Sequence, residues 1–184
     1  MNLLSENLTP KSPEYLASYI SAIPDFPRPG ILFRDIMPLV AEPPAFRELI
    51  SRMAREVREA GSTKVLGLES RGFIFGAAIA HELGLPFVTA RKPGKLPGPT
   101  VSLSYALEYG EQQLEMQRGS TIPGDSVAII DDLLATGGTA KAAAALVRQL
   151  GAEVSGHFFA IELDGLGGRN KIAPDTVSSV LHFE

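Results

Sequence analysis

An α/β fold, with a mainly parallel central sheet flanked by helices, is what this sequence predicts, and three features carry the prediction. Residues 64–90 and residues 127–161 run in the same order of apolar strand, loop, glycine-ended helix and apolar strand. Strands joined through a helix lie parallel, and a parallel sheet needs helices over its faces. The length, 184 residues, suits a single domain, 1–184, with a substantial core.

The elements follow in order. Over 15–23, Leu16, Tyr19, Ile20 and Ile23 fall at helical spacing, behind Ser12 as N-cap and Pro13 at the first helical position, which predicts a short amphipathic helix. Prolines at 24, 27 and 29 and the final Gly30 predict a bent, extended turn, and 31–36 a short apolar stretch broken by charge. Phe46, Leu49, Ile50, Met53 and Val57 share one face of a helix over 45–60, supported by Glu48 and Arg52 and stopped by Gly61. A strand at 64–68, a loop at 69–72, a helix over 73–83 closed by Gly84 and a strand at 86–90 come next. Residues 92–99 hold three prolines and two glycines, so an exposed loop is expected. Segments 104–109 and 112–117, separated by Gly110 and Glu111, predict a β-hairpin. The second strand–helix–strand unit runs from 127–130 through a helix over 139–150, closed by Gly151, to a strand at 154–161.

Composition excludes several function classes. Without cysteine there is no disulfide, zinc thiolate, iron–sulfur cluster or thiol nucleophile, which suits a cytoplasmic protein. Seventeen basic against 21 acidic side chains leave a net charge of −4, so no nucleic-acid partner is expected. No apolar run approaches the roughly 18–20 residues of a membrane span, and residues 1–11 carry no export or anchoring pattern, so no membrane partner is expected either. The net charge hides a local feature: residues 83–107 contain no acid but include Arg91, Lys92 and Lys95. Such a stretch suits phosphate capture.

The most informative segment is 127–139. An apolar strand ends in Asp131 and Asp132, and the small loop Ala135-Thr136-Gly137-Gly138-Thr139 then opens a helix. Backbone N–H groups at a helix start, with the hydroxyls of Thr136 and Thr139, form an anion site that glycines let a phosphate approach closely. Asp131 and Asp132 would then either accept hydrogen bonds from ribose hydroxyls or hold hydrated magnesium. An acidic pair and a glycine pair also occur in plain turns; the order strand, carboxylates, small loop, helix favours the anion site. Neither a Walker A loop nor the dinucleotide glycine pattern is present. The loop 69–72 also lies between a strand end and a helix start, where Ser70 and the bidentate donor Arg71 could grip a second phosphoryl group.

In these two segments the chain resembles the type I phosphoribosyltransferases, whose signature is an apolar strand, two acids and a Thr-Gly-Gly-Thr-like loop. The stretches 25–36, 70–73, 91–100 and 107–110 narrow the resemblance to the adenine-specific members, and it covers about residue 24 to the C-terminus. It implies a single-domain type I phosphoribosyltransferase fold with a flexible hairpin and a small hood, residues 24–36 being the purine-binding hood segment and 1–23 an N-terminal extension and helix. It implies a purine-salvage transferase that joins adenine to 5-phosphoribosyl-1-pyrophosphate (PRPP), giving AMP and pyrophosphate, with Mg²⁺ carried by PRPP and water near Asp131 and Asp132 and no direct protein ligand.

By the same resemblance, residues 135–139 hold the 5′-phosphate, Asp131 and Asp132 the ribose, and the loop around Glu69 to Gly72, with Ser70 and Arg71, meets the pyrophosphate. Arg91, Lys92, Lys95 and Tyr109 join the PRPP and AMP site, the basic loop closing over substrate and, in a homodimer, serving in part the neighbouring subunit. Glu108 faces the purine as its proton acceptor. Leu32 and Arg34 read adenine through their backbones, Phe33 packs on the ring, and Leu163 is an apolar wall. Hypoxanthine and guanine enzymes of the superfamily use a lysine after a late strand; here Glu162 and Asp164 stand in that region, which favours a 6-amino purine. His81, His157 and His182 have no metal-ligand or triad spacing and are expected to be structural or surface residues. Two other readings stay open from sequence: a PRPP-sensing regulator, which should carry an added DNA-binding segment or basic face, and a hypoxanthine or xanthine enzyme.

Overall fold

The structure, a computed structural model, describes residues 12–107 and 110–184, and side chains other than those of residues 106–111 within them. The chain divides into two compact units, residues 1–52 and 53–184.

In the first unit, α1 (Pro13–Ala17) starts at the expected cap, where the Ser12 hydroxyl accepts the Tyr15 N–H at 3.1 Å. The helix expected to reach Ile23 ends at Ala17 instead. Residues Ser21–Pro24 form β1, antiparallel to β2 (Leu32–Asp35), with Ile23 opposite Phe33. The helical spacing of Tyr19, Ile20 and Ile23 is overridden by this pairing and by the prolines that follow, which cannot continue a helix. The Asp25 carboxylate closes the hairpin turn by accepting the Gly30 N–H at 2.7 Å. A short α2 (Met37–Val40) precedes α3 (Pro43–Glu59), whose residues 53–59 are counted with the second unit. Leu49, Ile50, Met53 and Val57 of α3 are buried, as their spacing predicted, and Glu48 pairs with Arg52 at 2.9 Å.

The second unit is built on β3 (Lys64–Leu68), α4 (Gly72–Leu83), β4 (Phe87–Arg91), β5 (Thr100–Leu107), β6 (Gly110–Gln117), β7 (Ser126–Leu134), α5 (Gly138–Gln149), β8 (Glu153–Leu163), α6 (Gly168–Ile172) and β9 (Val177–Phe183). Its seven-stranded sheet has the order β5-β6-β4-β3-β7-β8-β9. The five strands from β4 to β9 in that order pair in parallel, and the β5–β6 hairpin adds antiparallel at one edge. Helix α4 packs on β3 and β7, and α5 on β5 and β8. That cover explains why residues 65–68 and 127–130 form unbroken buried runs rather than alternating ones. Helix α4 ends where predicted, at left-handed Gly84. In the hairpin the expected turn residue Gly110 is already strand, paired with Leu107.

Strand order reverses beside β3: the chain goes from β3 to β4 on one side, while β7 lies on the other. The carboxyl ends of β3 and β7 are therefore neighbours whose loops diverge, leaving a crevice between them.

Candidate active site

Two cavities open at these strand ends, and both are lined by Asp131 and Leu133. The smaller, about 90 Å³, is walled by residues 133–140 and Phe159. Here β7 ends and α5 begins at Gly137, whose φ of 76° is left-handed. No side chain caps α5, so its first N–H groups have no acceptor from a cap and remain available to an anion. Gly137 also lies hard against α6: a Cβ there would sit 2.6 Å from the Gly168 carbonyl oxygen. The loop's path thus depends on two glycines, one inside the expected motif and one, Gly168, that no sequence motif marked.

The larger cavity, about 410 Å³, is lined by Glu69, Ser70, Arg71, Lys92, Asp131, Asp132 and Leu133. Arg71 reaches across it from the start of α4, its Nε 2.7 Å from Oδ2 of Asp132. The backbone of α4 comes close enough to β7 that a Cβ on Gly72 would lie 2.7 Å from the Ile130 carbonyl oxygen and 2.9 Å from Oδ1 of Asp131. Oδ1 of Asp131 accepts the N–H of Asp132 at 2.9 Å. Burial, then the adjacent Asp132 charge, push the Asp131 carboxyl well above the ordinary carboxylate range, against the weaker pull of Arg71. The two carboxylates face one guanidinium, an excess of negative charge that donors or a cation would relieve.

Glu69, which the sequence marks only as the first residue of the 69–72 loop, ties that loop to the basic one. Its carboxylate takes both Nε and Nη2 of Arg91, at 3.2 and 3.3 Å, and the Lys92 N–H at 2.8 Å. Burial raises its pKa, but the Lys92 and Arg91 donors outweigh burial and hold it below the usual value. Arg91 also lies over the Phe73 ring, 5.6 Å from its centroid, and donates Nη1 to the Lys95 carbonyl at 3.0 Å.

Of the expected site residues, the structure brings Ser70, Arg71, Lys92, Asp131 and Asp132 to one cavity and Ala135, Thr136, Gly137, Gly138 and Thr139 to its neighbour. Arg91 borders the larger cavity through Glu69, and Lys95 is exposed on the loop beyond it. Leu163, at the end of β8, lines neither cavity. Leu32, Phe33 and Arg34 lie on β2 of the first unit, where Phe33 packs edge-to-face on Phe26 at 5.1 Å. Glu108 and Tyr109 lie outside the described residues. His157 is buried and 3.2 Å from Asp175, whereas exposed His182 contacts Asp164 at 2.9 Å. The buried Glu162 carboxylate is held by Arg169 and Ser179. Among the described residues no helix is long and apolar enough to cross a membrane.

Comparison with known proteins agrees with this geometry. The phosphoribosyl transferase domain family matches residues 40–169. An adenine phosphoribosyltransferase of Francisella tularensis subsp. novicida (strain U112) is 51% identical over 172 residues, which cover 92% of this chain and 98% of the relative. The crystal structure of adenine phosphoribosyltransferase from Rhodothermus marinus superposes with a TM-score of 0.88 at 47% identity, over 93% of this chain and 98% of that one. The Saccharomyces cerevisiae enzyme, complexed with adenine and an imino-altritol bisphosphate, gives a TM-score of 0.88 at 40% identity, over 92% and 98% of the two chains. With the acidic pair, the small loop and the helix start assembled at the sheet's switch point, and relatives this similar along nearly the whole length, the chain belongs to the phosphoribosyltransferase family, among its adenine phosphoribosyltransferases.

Proposed function

We infer that the protein transfers the phosphoribosyl group of PRPP to adenine, yielding AMP and pyrophosphate. The observation that carries this reading is the pair of neighbouring cavities at the ends of β3 and β7, which share Asp131 and Leu133, one at an uncapped helix start and the other lined by Arg71 and Lys92. PRPP carries its two phosphoryl ends on opposite sides of one ribose, which supports a binding mode that spans both cavities, and Asp131 lines both of them. N9 of adenine attacks C1′, the C1′–O bond breaks, and its electron pair leaves with pyrophosphate. Arg71 and Lys92 stabilise the growing charge on that leaving group. Residues 135–139 anchor the 5′-phosphate, and Asp131 and Asp132 accept from the ribose hydroxyls. Glu108 takes the proton that adenine loses, a role worth about 10²–10⁴ in rate. Leu32, Phe33 and Arg34 supply the adenine contacts, and closure of the 91–99 loop excludes water from the oxocarbenium-like centre.

The carboxylates of Asp131 and Asp132, hard oxygen donors sharing one guanidinium, fit the hydration shell of a Mg²⁺ ion carried in with PRPP. Such an ion supplies charge neutralisation at the leaving pyrophosphate. A cytoplasmic homodimer completes the reading, supported by family resemblance, with scattering near twice 19.6 kDa expected.

The test is incubation with PRPP, Mg²⁺ and each purine base in turn. AMP from adenine is expected. No AMP would refute the reading, and preferential IMP or XMP would reassign the base.

A further inference from the structure

The hydroxyl of Tyr105 stands between two segments that the reaction uses for different ends. Tyr105 is on β5, its ring packed on the core of the second unit. Its Oη lies 3.2 Å from Oγ1 of Thr139, in the first turn of α5 and on the wall of the phosphate-sized cavity. On its other side the same Oη donates to Oε1 of Gln112 at 3.1 Å, across the hairpin at the directly paired position. Gln112, Tyr105 and Thr139 therefore form one chain of hydrogen bonds from β6 through β5 to the phosphate loop.

Each hydroxyl in that chain owns a single proton. With the Tyr105 proton on Gln112, the bond between the two hydroxyls uses the Thr139 proton. A phosphate ester dianion offers acceptors only, so Thr139 can bond it solely by turning its proton toward the ligand. Thr139 then presents a lone pair to Tyr105, and that bond persists only when Tyr105 turns its proton away from Gln112. Gln112 can follow, because its amide carries donors as well as an acceptor and can rotate to offer N–H to the Tyr105 oxygen. Every proton stays on its own heavy atom; two bonds reverse direction together as a third forms to the phosphate.

We propose that Tyr105 is a positioning residue whose hydroxyl relays occupancy of the 5′-phosphate loop to the β5–β6 hairpin, so that a phosphomonoester on ribose sets the hairpin before the base reacts. The proposal rests on residues 135–139 being the 5′-phosphate site. Glu108 follows Tyr105 by three residues in sequence, so the strand that carries the relay also leads to the proposed proton acceptor.

Hydrogen–deuterium exchange with ribose 5-phosphate as the probe separates the two claims. In the wild type, peptides over 131–140 and over 100–117 should both gain protection. In Tyr105→Phe, 131–140 should still respond while the response over 100–117 falls by at least about half. Gln112→Glu, at an exposed position, replaces the reversible amide by a carboxylate that only accepts and so holds the Tyr105 proton; its KM for PRPP should rise about 5- to 10-fold, with KM for adenine unchanged. A wild-type hairpin response in Tyr105→Phe, or an unchanged KM for PRPP in Gln112→Glu, overturns the relay. Absence of protection over 131–140 in the wild type overturns the phosphate-loop reading and the relay with it.

Discussion

Gly168→Ala perturbs the proposed phosphate loop without replacing any residue of its motif. Gly168 begins α6, and a Cβ added there would stand 2.2 Å from the Ala135 carbonyl oxygen and 2.8 Å from Cδ1 of Leu134. Ordinary contact between carbon and oxygen needs about 3.3 Å, so backbone must move by roughly 1 Å, and the carbonyl in the way belongs to the loop itself. Overpacking of this kind costs about 1–3 kcal/mol. In a chain of this size that lowers Tm by about 2–12 °C. A displacement of about 1 Å at a binding loop can cost up to about 10² in catalytic efficiency. Thermal unfolding and PRPP kinetics are the assays, with Gly165→Ala as the comparison because a Cβ at Gly165 meets nothing within 4 Å. The expected result is a lower Tm and a higher KM for PRPP in Gly168→Ala alone. Wild-type values for both in that variant would refute the argument that α6 shapes the loop.

Two further predictions concern charge. The Asp131 carboxyl is raised in the fold by burial and by Asp132, so its ionisation costs stability, a cost absent at low pH and incurred as pH rises through the folded pKa. Asp131→Asn should therefore raise the Tm of the unliganded protein near neutral pH by about 2–4 °C, equivalent to about 1 kcal/mol, while weakening PRPP binding; a lower Tm would contradict the burial argument. Asp125 is shifted the other way: the Lys64 ammonium, 2.7 Å away, and the Ile122 N–H lower its carboxyl pKa against burial. Its stabilisation is complete above the unfolded value of about 4 and is lost as pH falls through the lowered folded value. Urea unfolding of Asp125→Asn should show a deficit of about 1–2 kcal/mol at pH 7 that shrinks as pH falls below about 4, and a deficit independent of pH would remove the ion pair as its cause.

What the sequence made legible is what repeats within a few residues. The buried runs of β3 and β7, the glycine-ended helices α4 and α5 and the Asp131–Thr139 order are local signals, and each stands where its spacing put it. Segment 21–24 went astray because Ile23 continues a helical spacing while its strand partner, Phe33, lies ten residues away. Strand β9 was not foreseen: its mostly half-buried residues give no clean alternation, and its place is set by parallel pairing with β8. The tie made by Glu69 and the role of Gly168 were missed for the same physical reason. Their importance comes from Arg91, 22 residues on, and from Ala135, 33 residues back, and no periodicity encodes a contact at such separations.

Those long-range contacts also explain how an acidic chain can serve a polyphosphate. Arg71 is matched with Asp132, and Arg91 with Glu69, before any substrate arrives. A bare cluster of guanidinium groups would repel itself and attract any polyanion. Cations held on carboxylates are instead aimed, at little entropic cost on binding, and their field is weak at a distance. A ligand that satisfies the carboxylates as well as the cations gains from both, because the adjacent Asp131 and Asp132 charges oppose each other until donors meet them. A sugar with hydroxyl donors between two phosphoryl ends meets that condition; inorganic pyrophosphate alone lacks the donors. On the proposed reading, selectivity for a phosphorylated sugar rests on the acids of the site as much as on its bases.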